Sequence, residues 1–436
     1  MKQPKPQLRG AEPAGLELVE ISKPLYGGAF LAHIEGKAVF VPLTLPGEKA
    51  RVRVTQSKSG YSTAELVEIL TRSPQRVAPP CPHFGACGGC NYQHASYEAQ
   101  LILKQAILRE TLSRGGVPAP EEIAVLSADP WAYRNRIRIA FDGDANPGYR
   151  GRRSHDIAPI RQCPIAAPLL LSAAHEAAEV FRRIPPNLRP GELSLFCDPA
   201  ESALLATFFV AGATELRLGP LAQALHERIP ALQGAQLAAE GRPGHPLRTL
   251  ARWGGDSIAY PAAGFEFRVD HGAFFQSNRW LVDALVTAVV ETHSGALAWD
   301  LFAGVGLFAR GLSARFDRVV AVESAPQSTA ALAHNLQGAN AEAVEASTLD
   351  FLRRPKAGHP DLVVVDPPRT GLGSEVCAAL AEVAAPSLVY VSCDPATLAR
   401  DLRALLASGY TIDSIALADL FPQTFHLETV VRLRYR

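Results

Sequence analysis

The chain has 436 residues, 47% hydrophobic and 20% charged, with 43 Lys/Arg against 43 Asp/Glu for a formal net charge of zero. That profile fits a globular protein of two or three domains and excludes a uniformly basic nucleic-acid binder, while leaving local patches open. Its apolar runs are too short to span a bilayer, its first ten residues lack the apolar stretch of a signal peptide, and its seven cysteines are an odd number, so a cytoplasmic protein with metal ligands or a reactive thiol is expected rather than disulfides.

Taken in chain order, residues 14–72 read as short strands (LELVEI, AFLAHIEG, KAVFVP, KARVRVTQ, YSTAELVEIL) broken by Gly/Pro turns. Their period-2 alternation predicts a small OB-like β-barrel. A proline-bearing linker, SPQRVAPP, leads to a cysteine-rich loop, and residues 95–116 read as one amphipathic helix closed by a glycine pair. Residues 130–270 mix strand-like and helix-like runs, which predicts an α+β middle domain. From about residue 280 strands and helices alternate, and the last two strands are joined by the short PQTFHL. This predicts an α/β, doubly wound sheet of seven strands whose last strand is antiparallel. The expected domains are 1–73, 74–270 and 271–436.

Two stretches are locally basic. Residues 1–60 hold nine Lys/Arg and five Asp/Glu. Residues 131–163 hold Arg134, Arg136, Arg138, Arg150, Arg152, Arg153 and Arg161 against Asp142, Asp144 and Asp156. Such runs are often only solvated faces, but arginine without lysine suits phosphate, because the guanidinium fork matches its geometry.

Ligands of doubly wound sheets sit beyond the carboxyl ends of the strands. The first of these strands runs into Asp300-Leu301-Phe302-Ala303-Gly304-Val305-Gly306, a loop that fits a dinucleotide or S-adenosylmethionine equally well. Glu323 ends the second strand, where an acid can hold ribose hydroxyls or cap a helix. The fourth strand ends in Asp366-Pro367-Pro368-Arg369, a mark of methyltransferases rather than dehydrogenases. The fifth ends at Cys393, and the last antiparallel strand starts near Glu428. Asp366, Cys393 and Glu428 are therefore expected to face one crevice. A lone strand-end cysteine is more often a small buried hydrophobe. Beside an acid it is a nucleophile candidate for methylation of pyrimidine C5, with Glu428 as the base that removes the C5 proton. That thiolate needs a depressed pKa.

Cys81, Cys87 and Cys90 place three thiols on one short loop, and Cys163, before a proline in IRQCPI, is the choice for a fourth ligand. Zinc and an iron–sulfur cluster both accept four thiolates; three clustered and one remote fits [4Fe–4S] better.

These motifs together resemble the RNA 5-methyluridine methyltransferases, in the branch with a TRAM domain and an iron–sulfur cluster. VFVPLTLPGE resembles TRAM, and CPHFGACGGCNYQH, WAYRNRIRI and IRQCP resemble the cluster-binding part. GAFFQSN, DLFAGVGLF, VES, DPPRTGL, VSCDPATLARDL and FPQTFHLE resemble the catalytic motifs in family order. The resemblance implies Cys393 as nucleophile, Glu428 as base, and S-adenosylmethionine bound by Gln276, Phe302, Glu323 and Asp366, with Ser347 as a further adenine contact. It also implies a [4Fe–4S] cluster on Cys81, Cys87, Cys90 and Cys163, a helix 95–114 packed on the catalytic domain, and a monomer with no membrane partner. It implies structured RNA as substrate, 23S ribosomal RNA ahead of the transfer-RNA T loop. Leu307 and Asp394 depart from commoner residues of the family. A 5-methylcytidine enzyme would place a second cysteine where Pro368-Arg369 stand, and a non-catalytic RNA-binding protein is the rival from another class.

Overall fold

A computed structural model describes residues 15–152, 154–212, 214–239, 248–354 and 358–436. Arg153 and the basic residues before Gly15 lie outside them. The described residues form two compact units.

The smaller unit comprises residues up to 80, residues 90–107 and residues 423–425. Its six-stranded sheet runs in the order Leu16–Glu20, Lys49–Ser57, Tyr61–Thr71, Lys37–Pro42, Ala29–Ile34, Lys23–Pro24. Val19, Phe30, Val39, Val41 and Val52 alternate inward to make its core, as the strand period requires. Three register irregularities between Lys49–Ser57 and Tyr61–Thr71 add twist. Glu48 of the LPGE turn is buried and accepts from Arg76 Nε at 2.5 Å and from the Leu45 amide at 2.8 Å. Burial pushes its pKa up, but Arg76 and the amides outweigh that and hold it below the ordinary value.

The helix Tyr97–Arg114 is not amphipathic: Gln100 and Lys104 are as buried as Leu103 and Leu108. It ends at Gly115, where a Cβ would meet the Ala399 Cβ at 2.7 Å. Only glycine permits that approach to the helix that follows Cys393.

Among the described residues the larger unit holds two large sheets and a two-stranded one. Seven strands make the middle sheet, in the order Ile157–Pro159, Pro147–Arg150, Arg136–Phe141, Glu192–Cys197, Leu204–Val210, Leu232–Ala239, Arg248–Gly254. Helices Pro168–Phe181 and Leu218–His226 share its core. A hairpin, Ser257–Ala262 with Phe265–Asp270, turns at Ala263 and Gly264, both at positive φ, the conformation of a tight hairpin turn. Its Tyr260 and Phe267 are buried in the core of the second sheet, so that core reaches back before residue 271.

The second sheet contains β1 (Gly295–Leu301), β2 (Phe316–Glu323), β3 (Ala341–Glu345), β4 (Leu362–Val365), β5 (Ser387–Ser392), β6 (Tyr410–Ala418) and β7 (Glu428–Tyr435). The order is β3-β2-β1-β4-β5-β7-β6, with β7 antiparallel to both neighbours. It has eight strands rather than the expected seven, because Ala124–Leu126 adds parallel to β6. Three residues carry too little periodicity to announce a strand. Strand order reverses between β1 and β4, the switch point where such sheets bind ligands. Among the described residues no helix is long and apolar enough to cross a membrane.

Candidate active site

The loop after β1 is built for close backbone approach. Phe302, Gly304 and Gly306 have φ of 64°, 57° and 92°. A Cβ on Gly306 would come 2.8 Å from Leu332 Cδ1. Phe302 holds a left-handed conformation without being glycine, a strain kept where surrounding contacts over-determine it. Glu323 fixes the loop: its carboxylate accepts the Gly304 amide at 2.9 Å and those of Ser324 and Ala325 at 2.7 Å. Asp300, fully buried at the end of β1, accepts the Ala309 amide at 2.8 Å, while its Oδ1 has no partner. Burial raises its pKa to about 8, and Asp366 and Glu323 add to the rise.

Gln276 is buried, and its segment is stitched from both sides. Asn135 Nδ2 donates to the Gln276 carbonyl at 2.9 Å, the Asn135 amide to Ser277 at 3.0 Å, and Asn278 Nδ2 to the Leu420 carbonyl at 3.1 Å. Phe274, two residues before it, is 65% exposed.

After β4, Pro367 and Pro368 end the ladder and Asp366 starts a loop. Asp401, buried on the helix Pro395–Ala407, holds that loop. Its carboxylate accepts the Leu372 amide at 2.7 Å, the Tyr390 hydroxyl at 2.8 Å and Arg400 Nε at 2.9 Å. Thr397 Oγ1 donates to the Arg369 carbonyl at 3.2 Å. At Gly371, φ is 72° and a Cβ would meet Asp401 Oδ2 at 2.4 Å.

Cys393 follows β5 directly. Asp394 caps the next helix, its Oδ1 accepting the Ala396 and Thr397 amides at 3.0 Å. Capping is a task that suits Asp as well as Asn. Because β5 and β7 pair Ser392 with Thr429, the next antiparallel step sets Glu428 opposite Cys393. Their electrostatics agree: the Cys393 thiol is pushed up to about 11, first by burial, then by Glu428 and Asp366, with Arg369 opposing. Burial also raises Glu428 well above the carboxylate range, with Asp366 adding to it and Arg369 opposing. Asp366 rises to about 7 through burial. The depressed pKa that the chemistry needs is therefore not held at rest: burial first, and then the two carboxyls that flank the sulfur, raise the thiol. Arg369, whose Nη2 lies 3.2 Å from His426 Nδ1, is the cation that faces them. Asp300, Arg369 and Asp401 were not singled out from sequence. All three stood inside quoted motifs (DLFAGVGLF, DPPRTGL and VSCDPATLARDL), but nothing in a helical pattern marks the task of Asp401.

Asp300, Glu323, Asp366 and Glu428 thus converge at one sheet edge. An acidic crevice disfavours the pyrophosphate of a dinucleotide and suits a ligand carrying a sulfonium and an ammonium. Ser347, two residues past the end of β3, caps the helix Thr348–Leu352, its Oγ accepting the Asp350 amide at 3.1 Å.

Of the cysteine set, Cys81, Cys87 and Cys163 lie in the larger unit, whose boundary falls between Gly89 and Cys90. Cys87 feels the charge of Cys81, and Cys163 that of Cys87; burial is the main cause that raises both thiols. The Gly89 amide donates to Cys87 Sγ at 3.4 Å. Among the described residues no three His, Cys, Asp or Glu side chains are arranged to hold a metal ion. A mononuclear zinc site would need its thiolates about 3.8 Å apart, around bonds of about 2.3 Å. A cluster with one iron per thiolate accepts a wider set.

The chain matches the tRNA (Uracil-5-)-methyltransferase family over residues 357–436 and the TRAM domain over residues 17–67. It is 35% identical over 418 residues to a 23S rRNA (uracil(1939)-C(5))-methyltransferase, RlmD, of Chromohalobacter salexigens, covering 91% of this chain and 85% of that one. It is 33% identical to an uncharacterized RNA methyltransferase of Thermotoga maritima, over 96% of this chain and 99% of that one. Among solved structures, a Pyrococcus abyssi tRNA (uracil-54, C5)-methyltransferase with S-adenosyl-L-homocysteine shares the fold, with a TM-score of 0.77, 24% identity, and coverage of 95% of this chain and 100% of that one.

Proposed function

The chain belongs to the RNA (uracil-C5-)-methyltransferase family, and on that premise we propose that it methylates C5 of a uridine in 23S ribosomal RNA through Cys393 and Glu428. The observation that carries this reading is the β5–β7 register that opposes a thiol to a buried carboxyl at the switch-point edge.

S-adenosylmethionine, when bound, supplies the methyl group. Gln276, Phe302, Glu323 and Asp366 would hold it. Cys393 gives up its proton to Asp366, whose raised pKa makes it a stronger base than a free carboxylate, which leaves Glu428 to take the C5 proton later. Its sulfur then bonds to C6 of the flipped uracil, and C5 becomes nucleophilic enough to take the methyl group. Glu428 removes the C5 proton, the C5–C6 double bond re-forms and the sulfur leaves. Arg369 offsets the negative charge these steps gather. Phe274, exposed beside Gln276, offers a ring for a splayed base.

The [4Fe–4S] cluster belongs to the same proposal. Cys81, Cys87, Cys90 and Cys163 would hold it, and when bound it would cross-link the loop 81–90 to residue 163. Anaerobically purified protein is expected to be brown, with about four irons; a colourless protein with one zinc would remove the cluster. The protein is further proposed to act as a cytoplasmic monomer.

The substrate test is a site-resolved map of 5-methyluridine after incubating purified protein with unmodified 23S and transfer-RNA transcripts. One methylated 23S position is expected. Methylation of the transfer-RNA T loop would keep the chemistry and move the substrate. Methylated cytidine would sink the reading, and RNA binding without turnover in the intact protein would favour the non-catalytic rival.

A further inference from the structure

Arg136 and Arg138 alternate along the middle-sheet strand Arg136–Phe141 and so share a face, with Arg134 two residues before it, while Ile137 and Ile139 are buried in the core on the other. Each guanidinium lies over an aromatic ring: Arg134 6.0 Å from Phe421, Arg136 4.3 Å from Phe196, and Arg138 4.1 Å from Phe209. Arg138 is neutralised by Glu192. Arg136 is different. Its Nε and Nη2 are buried without hydrogen-bond partners, and among the described residues it makes no ion pair. The residue as a whole is not fully buried. Burial alone pulls its pKa down to about 10.

A buried guanidinium without a counter-charge is costly, and a fold that keeps one has an anion to set against it. The position says which. Neighbouring Asn135 donates to the Gln276 carbonyl at 2.9 Å, and Phe196, under the guanidinium, packs on Phe275 with centroids 6.4 Å apart. Arg136 therefore stands beside the Phe274–Gln276 wall of the crevice. Nε and Nη2 form the side-on edge of the fork, which matches two oxygens of one phosphate.

We propose that Arg136 binds a backbone phosphate of the RNA strand next to the target nucleotide, leaving its resting place on Phe196 by a change of rotamer. This rests on the RNA-methyltransferase reading and deepens it: the target strand is gripped by the middle sheet as well as by the catalytic crevice.

The test is an anisotropy titration of a fluorescein-labelled RNA hairpin with a uridine-containing loop, using the full chain, at several KCl concentrations. Arg136→Met keeps the stacking volume and removes the charge. It is expected to weaken binding and to make the slope of log Kobs against log[KCl] shallower by about 0.7–0.9, the share of one phosphate contact. Arg136→Lys is expected to keep the wild-type slope. The melting temperature of Arg136→Met is expected not to fall, because an unpaired buried charge has been removed. An unchanged slope in Arg136→Met, with or without a lower melting temperature, would overturn the inference. So would a loss of S-adenosylmethionine affinity in Arg136→Met at unchanged slope, which would assign the anion to the carboxylate of that ligand. If the wild-type protein binds no RNA, the RNA reading itself fails; if it binds and Arg136→Met matches it, only this inference does.

Discussion

Replacing Asp401 by alanine tests whether the Asp366–Arg369 loop is held in place by a residue that touches no reactant. The Asp401 carboxylate is 1% exposed and accepts the Leu372 amide at 2.7 Å, the Tyr390 hydroxyl at 2.8 Å and Arg400 Nε at 2.9 Å. Alanine leaves the Leu372 amide and the Tyr390 hydroxyl buried without an acceptor, at about 1–3 kcal/mol each, so a loss of about 2–6 kcal/mol is expected. Asparagine keeps one acceptor oxygen and should cost about half as much. Because the loop carries Asp366 and Arg369, kcat should fall further than KM rises, and the asparagine variant should recover part of it. Urea unfolding gives the stability and a methyl-transfer assay the kinetics. A loss below about 1 kcal/mol in the alanine variant, or an unchanged kcat in a folded variant, would refute the argument.

Cys393→Ala should abolish methyl transfer while leaving RNA affinity nearly unchanged; turnover at the wild-type rate would remove the thiol from the chemistry. Asp300, raised from an ordinary 3.8 to about 8, binds its proton more tightly folded than unfolded. Its contribution to stability is therefore present below pH 4 and lost as pH rises toward 8, by up to about 1.4 kcal/mol per pH unit. Asp300→Asn should flatten the stability curve by that slope across the window, and an unchanged slope in denaturant titrations would contradict the shift. A sulfonium entering the crevice lowers the pKa of every acid around it. Binding of S-adenosylmethionine near pH 7 should thus release protons from Asp300 and Asp366, seen by calorimetry in buffers of different ionisation enthalpy; proton uptake would contradict the placement.

The order of the catalytic strands was legible because each ends at a residue that stops it: Gly304, Glu323, Pro367 and Cys393. A parallel strand ending at Ser392 and an antiparallel last strand starting near Glu428 already implied that the thiol and the acid share an edge. Three things stayed hidden for physical reasons. Asp401 sits in a helix whose period does not say that its carboxylate is swallowed by a neighbouring loop. The helix 97–114 looked amphipathic, yet its buried face carries Gln100 and Lys104 beside its leucines, while Ile102 on the other face is 63% exposed. The resting thiol is raised to about 11 rather than depressed, since pKa follows from three-dimensional surroundings, here burial first and then the neighbouring carboxyls.

The most direct test of the chemistry uses RNA with 5-fluorouridine in place of uridine. Fluorine at C5 does not leave as a proton does, so the final elimination is blocked after methyl transfer. With S-adenosylmethionine present, a denaturant-stable protein–RNA adduct should form, and mass spectrometry should place the RNA on Cys393. Absence of an adduct from a folded, RNA-binding protein, or attachment at another residue, would contradict the account.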